Sequence, residues 1–379
     1  MARLEFDAVC HSYGDTRVLE DLHLDIADGE AHALLGPSGA GKSTLLNLLS
    51  GLLVPTSGRI LLDGVDLTRA SPRARNVAQV FQFPVVYEGL SVRGNLEFPL
   101  RNQGMAASAI RSRVDSIAEL MELTALLKAR SEALSAYDRQ KVAMARALVR
   151  PDVAAVLLDE PLTAVEPTAK WRLRHALKSV QRELGLTMIY VTHDQLEALT
   201  FADRVSVIEG GRILQSAPPQ ALIADPRHAF VGHFIGSPGM NLLPARIDAG
   251  HLIMNPGLRL PVSLGVSAGA CQFGFRPEDG VAATRADADS GLLDLPLQID
   301  DVRTLGLQAG QAFGLVSAHL AGEQVQLRQC VEGLAIGEGR LHLPPERVRV
   351  FRDGWRLETA PLAGPVAPLI APLVEAPAS

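Results

Sequence analysis

The sequence is short of cysteine, of net positive charge and of long apolar runs, and each shortage excludes something. Its three cysteines, Cys10, Cys271 and Cys330, are far apart and in no metal-ligand spacing. They read as free thiols of a reducing compartment rather than as a disulfide framework or a zinc site. A net charge of -6 leaves no basic stripe to neutralise a phosphate backbone, which argues against nucleic acid as the main partner. No run approaches the roughly 18 apolar residues that span a bilayer, and residues 1–7 hold no apolar signal-peptide core. The chain is therefore expected to be cytoplasmic, with any membrane association made through a partner.

What is there is a globular composition, 47% hydrophobic and 21% charged, over 379 residues, a length suited to two or three domains. One stretch organises the rest. Residues 30–35 form a buried-looking run, and Leu45, Leu46, Leu48 and Leu49 follow a helical pattern. Between them Gly36, Pro37, Ser38, Gly39, Ala40, Gly41, Lys42, Ser43 and Thr44 satisfy G-x-x-x-x-G-K-[ST] in full. Glycines let successive backbone N–H groups turn onto phosphate oxygens at a positive helix end. Lys42 adds a point charge, and Ser43 offers its hydroxyl to Mg²⁺. The flanking strand and helix separate this reading from an ordinary glycine turn that caps a helix.

Residues 4–9 and 18–26 alternate apolar and polar side chains and read as strands. Tyr13, in the turn between them, is either a core aromatic or a platform on which a base stacks. Residues 57–62 with Asp63-Gly64 give a hairpin signal, and residues 76–81 a short strand ending at Gln82. From about 92 to 150 the period is helical, with Ile110, Val114, Ile117, Leu120 and Met121 on one face. The apolar run 153–158, helix 168–184, strand 187–191 and helix 192–201 then alternate, so a parallel sheet covered by helices is expected. Beyond residue 236 come short alternating segments with glycine turns (241–247, 258–262, 272–275, 292–299, 312–318, 324–327, 347–351), the pattern of a small β-barrel or sandwich. From residue 358 the tail is Ala/Pro-rich and almost uncharged, and is expected to be disordered.

A phosphate loop alone fits many nucleotide enzymes. Here the run 154–158 presents two acids at its C-terminal end, Asp159 placed to hold Mg²⁺ and Glu160 to orient or deprotonate an attacking water. Upstream lies the stretch 134–148, beginning Leu134, Ser135, Ala136, Tyr137, Asp138, and downstream Thr192-His193-Asp194. The order of P-loop, Gln82, signature stretch, Asp159-Glu160 and His193 resembles the ATP-binding-cassette ATPases over about residues 4–234. The later Gly274-Phe275-Arg276-Pro277-Glu278 and the β-rich end resemble the ATPase subunits of carbohydrate importers of the maltose and glycerol-3-phosphate type. Residues 234–241, with the unusual signature, resemble most the ATPases of bacterial glycerol importers.

The resemblance implies an α/β P-loop NTPase core (1–235) with a helical subdomain (about 83–150), followed by a small all-β, OB-like regulatory domain (236–357) and the tail (358–379). It implies ATP and Mg²⁺ as ligands, and ATP hydrolysis at the cytoplasmic membrane face coupled to import through membrane permease subunits, with an extracytoplasmic solute-binding protein acting indirectly. Tyr13 would stack on adenine, the P-loop residues 36–44 would hold the phosphates, and Ser43, Gln82 and Asp159 would attend the metal. Glu160, His193 and Gln82 would serve catalysis. Ser135 would cap the γ-phosphate of a second ATPase subunit.

The sequence departs from the family at the signature, where Ala136 and Tyr137 replace glycines and Asp138 an amide. Glycines belong there because a nucleotide phosphate must come close to the backbone. A residue forced into left-handed geometry would cost about 1–2 kcal/mol, and the tyrosine ring must find space. Capping of the partner's nucleotide is therefore in doubt and, of a homodimer and a heterodimer with a related ATPase, the heterodimer is expected. Ser135-x-x-Asp138 still reads as a capping box, as does Thr192-x-x-Gln195. Glu166, before Pro167, is either a helix start or part of the link between two active sites. Two other classes are weighed. A soluble cassette ATPase acting on DNA or ribosomes predicts a second cassette, a long coiled coil or a basic surface, none of which is visible; a non-hydrolytic regulatory subunit is opposed by Glu160 and His193.

Overall fold

The computed structural model describes residues 3–163, 165–254, 258–262, 267–284 and 291–358. The tail, apart from Glu358, lies outside them. The chain divides into two compact units, 1–222 and 223–379. Residues 223–235, which the sequence leaves with the first domain, fall in the second, where Ala229 is buried with Met240 and Phe351.

In the first unit a four-stranded antiparallel sheet is built from β1 (Leu4–Tyr13), β2 (Thr16–Ile26), β4 (Ser57–Leu62) and β5 (Val65–Asp66), in the order β2-β1-β4-β5. A six-stranded sheet takes β3 (Ala31–Leu35), β6 (Ala78–Val80), β7 (Val156–Asp159), β8 (Met188–Thr192), β9 (Arg204–Glu209) and β10 (Arg212–Ala217), in the order β10-β9-β3-β8-β7-β6. All neighbours in it are parallel except β9 and β10. Parallel strands are buried on both faces, which is why β3 and β8 are continuous buried runs.

The helices are α1 (Lys42–Ser50), α2 (Pro72–Arg75), α3 (Val92–Asn102), α4 (Ala107–Leu120), α5 (Ala136–Leu148), α6 (Pro167–Leu184) and α7 (Gln195–Phe201). Helices α3 to α5 fill the stretch read as helical. On α4, Ile110, Val114 and Ile117 are buried, Met121 just beyond it is buried, and Leu120 is half-buried, so the expected face is the packed one. Several boundaries differ from the sequence reading, and two of them bear on the site. The strand expected over 76–81 shrinks to β6 because Asn76 takes a left-handed φ of 51° at the end of α2. The helix expected from residue 192 begins at Gln195. Thr192 pairs with Leu35 as the last residue of β8, and Asp194, not Thr192, caps α7 by accepting from the Leu196 and Glu197 amides.

Helix α1 has no basic residue in its last turn, and the charge its C-terminus favours comes from Arg75, 2% exposed. The guanidinium donates to the carbonyls of Leu48 and Leu49 at the end of α1 and to those of Thr68 and Ala70. Among the described residues no carboxylate forms an ion pair with it, and burial pushes its pKa down against the weaker pull of Asp66. Arg75→Met removes these donors and leaves buried carbonyls unpaired, at about 1–3 kcal/mol per unsatisfied group. A loss of stability of about 2–4 kcal/mol is therefore expected, read as a fall in the urea midpoint.

The second unit is all-β apart from short helical turns. One antiparallel sheet runs β13-β12-β11-β14-β20-β21, from β11 (Asn241–Asp248), β12 (His251–Met254), β13 (Leu258–Pro261), β14 (Gly269–Phe275), β20 (Arg349–Arg352) and β21 (Trp355–Arg356). The other runs β15-β19-β16-β17-β18, from β15 (Val281–Ala283), β16 (Leu293–Gln308), β17 (Gln311–Leu320), β18 (Glu323–Cys330) and β19 (Gly337–Leu343). Their inward residues, among them Phe273, Phe275, Leu295, Val316, Leu327 and Leu341, share one core, as alternating strands with one face inward require.

Candidate nucleotide site

The loops that carry the phosphate-binding residues, His193, the acid pair and Gln82 leave the C-terminal ends of adjacent parallel strands. The P-loop follows β3, His193 follows β8, Asp159 ends β7 with Glu160 next after it, and Gln82 lies two residues beyond β6. That edge is where open α/β sheets place ligands, and strand pairing fixes the order in which the groups stand along it.

The P-loop needs glycine at two points for different reasons. A Cβ at Gly36 would lie 2.2 Å from the Ile208 carbonyl oxygen, so the chain passes too close to β9 for any side chain. Gly41 has φ 100° and would meet Leu19. As the N-cap of α1 it offers no side-chain acceptor, so the first-turn amides are left to an anion. The β1–β2 hairpin backs this loop through Val18 and Leu19, and Tyr13 sits at its end, 49% exposed, with its ring edge-to-face against His11 at 4.8 Å between centroids. An exposed ring does not serve as a core aromatic.

Lys42 is buried and donates to the Gly36 and Pro37 carbonyls, both at 2.8 Å. Burial lowers its pKa, against the pull of Glu160 and Asp159. Ser43 Oγ donates to Asp159 Oδ1 at 3.3 Å. Burial raises the Asp159 pKa and Glu160 adds to it, while Ser43 and Lys42 oppose the rise. A cation beside Asp159 would relieve that penalty. Among the described residues no cluster of three or more His, Cys, Asp or Glu side chains forms a metal cage. That suits Mg²⁺, which takes one or two protein oxygens and fills its shell with phosphates and water. Ser43 and Asp159 fit that role.

Glu160 adopts φ 43°, a left-handed conformation that is rare outside glycine. Its carboxylate is held from two sides. Oε1 lies 3.1 Å from His193 Nδ1, and Oε2 accepts from Thr163 Oγ1 at 3.1 Å. Thr163 was not singled out in the sequence; a threonine three residues past an acid, across Pro161, was the available signal. Gln82 is half-buried.

The signature residues open α5. Ser135 is its N-cap, accepting from the Asp138 amide at 3.0 Å and donating to Asp138 Oδ2 at 2.7 Å, so the serine half of the expected capping box forms and the Asp138 carboxylate holds the serine hydroxyl. The expectation of left-handed geometry is corrected here: Ala136 and Tyr137 are the first two residues of the helix and neither has a positive φ. The Tyr137 ring is half-buried against the helical core, with Lys141 Nζ 4.8 Å from its centroid, while Ser135 and Ala136 stay exposed. Gln140, buried on the same helix, donates to the Pro161 carbonyl at 2.7 Å, tying α5 to the loop after Glu160. Glu166 is the exposed N-cap of α6, before Pro167, and makes no side-chain cap bond.

A phosphate loop, an adjacent acid pair and a histidine, on neighbouring parallel strands beside a helical insertion, define a P-loop ATPase. Its kind follows from the whole chain. The model of the ABC transporter family matches residues 19–163, and that of the MalK OB fold domain residues 236–279. The sn-glycerol-3-phosphate import ATP-binding protein UgpC of Chromohalobacter salexigens is 38% identical over 338 residues, 86% of this chain and 91% of that protein. Its counterpart in Escherichia coli O1:K1 is 40% identical over 363 residues, 93% and 98% of the two chains. The solved structure of cbiO1 from Clostridium perfringens, part of the ABC transporter complex cbiONQ, matches with a TM-score of 0.54 at 30% identity, covering 59% of this chain and 90% of that one. The chain belongs to the ABC transporter ATPases, with a C-terminal domain of the MalK OB kind.

Among the described residues no helix is long and apolar enough to cross a membrane. Cys10, Cys271 and Cys330 are all free.

Proposed function

We propose that this chain is the ATP-hydrolysing, energy-coupling subunit of a bacterial importer for a carbohydrate or polyol, with sn-glycerol-3-phosphate as its cargo, seated on the cytoplasmic face of the membrane. The observation that carries the reading is the row of P-loop, His193, Asp159-Glu160 and Gln82 along one sheet edge, in a chain whose relatives over more than nine-tenths of its length are import ATP-binding proteins.

In this mechanism Tyr13 stacks on adenine, and the amides of residues 36–44 with Lys42 grip the phosphates. Ser43, Asp159 and Gln82 would hold Mg²⁺, which when bound would supply positive charge against the β and γ phosphates. Glu160 accepts a proton from the attacking water, while His193 orients that carboxylate and reaches the γ-phosphate. Ser135 of a second subunit closes the site.

Support for a second copy of this chain as that subunit, rather than a related ATPase, is that Ala136 and Tyr137 are unstrained in the helix and Ser135 is exposed. The backbone penalty, one of the reasons to expect a heterodimer, is gone, and the relatives lend the heterodimer no support. The permease is read as docking at a groove of about 830 Å³ lined by Gln79, Tyr87, Phe98, Arg146 and Arg150. Phe83, 74% exposed, stands beside Gln82 at the start of the loop that leads to it.

Proteoliposomes with permease and binding protein are expected to take up labelled sn-glycerol-3-phosphate only with ATP inside. Maltose uptake in its place would overturn the cargo. The Glu160→Gln chain alone, given ATP, is expected to elute in size exclusion as a dimer. Elution as a monomer at every ATP concentration would return the partner to a related ATPase.

A further inference from the structure

Glu160 and His193 sit on two neighbouring loops, and a second pair, a buried carboxylate and a half-buried lysine, joins the elements that follow those loops. Glu197, in the first turn of α7 and 4% exposed, accepts from Lys170 Nζ of α6 at 2.9 Å through Oε1. Through Oε2 it accepts from the Tyr190 and Thr192 hydroxyls of β8, each at 2.9 Å. Thr192 Oγ1 in turn accepts from the Asp194 amide at 3.0 Å. Asp194 Oδ1 receives the Leu196 and Glu197 amides at 2.8 and 3.2 Å. The residues on either side of His193 are therefore closed into one hydrogen-bonded circuit with Glu197.

We propose that Glu197 is a positioning residue for hydrolysis. It fixes the His193 loop and, through Lys170, holds that loop against α6, the helix reached through the Glu160–Glu166 segment. The inference rests on the assignment of Glu160 and His193 to the reaction. Each loop carries one member of the reacting pair and leads into an element carrying one member of the second pair, so the 3.1 Å separation of Glu160 and His193 is set twice. The buried carboxylate has a donor on each oxygen, three in all, and burial, with Glu197 beside it, pushes the Tyr190 phenol well up, keeping it a donor. A packing role alone needs no charge at residue 197. A brace that sets the spacing does, because Lys170 is gripped by charge-assisted bonding.

The test is a cycle of Glu197→Gln and His193→Ala, read by single-turnover hydrolysis of ATP and by nucleotide affinity. Glu197→Gln is expected to lower kcat about tenfold, as for coupled neighbours, with KM for ATP changed less than about twofold, since binding in the ground state is untouched. In the His193→Ala background the same change is expected to have no further effect. Lys170→Met, at a partly exposed position, is expected to lower kcat in the same direction and serves if Glu197→Gln does not fold. Unchanged kcat in Glu197→Gln, or an equal fall in both backgrounds, would overturn the brace. Unchanged kcat in His193→Ala itself would instead sink the site assignment beneath it.

Discussion

Glu160→Gln is expected to bind ATP as the parent chain does and to release phosphate at least about a hundredfold more slowly, the lower end of what a positioned general base contributes. The substitution keeps the shape of the side chain and its backbone at φ 43°. An amide oxygen can still accept from Thr163, as Oε2 does at 3.1 Å, but the group no longer takes a proton from water near neutral pH. Oε1, 3.1 Å from His193 Nδ1, becomes an amide position facing a ring nitrogen that the carboxyl group had kept oriented. Phosphate release and retention of a fluorescent nucleotide check the two halves separately. Turnover within a few-fold of the parent would remove Glu160 from the chemistry.

The second large effect is expected at Lys42. Its ammonium is turned onto the Gly36 and Pro37 carbonyls at 2.8 Å, in a place where burial works against its charge. Phosphate oxygens offer that charge a better partner than two neutral carbonyls, so nucleotide binding is expected to draw the side chain out of the loop. A charge-assisted bond of this kind is worth about 1.5–3 kcal/mol, so Lys42→Ala is expected to weaken ATP binding about 10- to 150-fold and to leave no measurable turnover. Calorimetric titration with ATP and magnesium reads the affinity. Binding within about twofold of the parent would show that the amides alone hold the phosphates.

What the sequence makes legible is what depends on neighbours along the chain. The P-loop is read whole because each glycine, Lys42 and Ser43 has its task at a fixed offset, and Asp159-Glu160 because an apolar run delivers them. The packed face of α4 is read because 3.6-residue periodicity survives any tertiary arrangement. What was hidden needs partners remote in sequence. Arg75 caps α1 from 26 or more residues away, and Lys170 reaches Glu197 across 27. Thr192 was misread as a helix cap because only its pairing with Leu35 shows that β8 runs through it. At the signature, two missing glycines suggested left-handed backbone where the helix had already begun. There glycine is a question of room for the partner's phosphate, and Tyr137 has folded its ring away into its own core.

The six-stranded sheet also has a mechanical gradient. Strand β3, which carries the phosphate loop, is bonded on both sides, to β8 and to β9. Strand β6, which leads to Gln82, is three residues long, lies at the sheet edge and leans on β7 alone. Three strand spacings separate them, about 14 Å at about 4.8 Å each. The sheet is therefore stiff beneath the phosphate loop and compliant beneath the strand that leads to Gln82, so the same push would move the second more than the first.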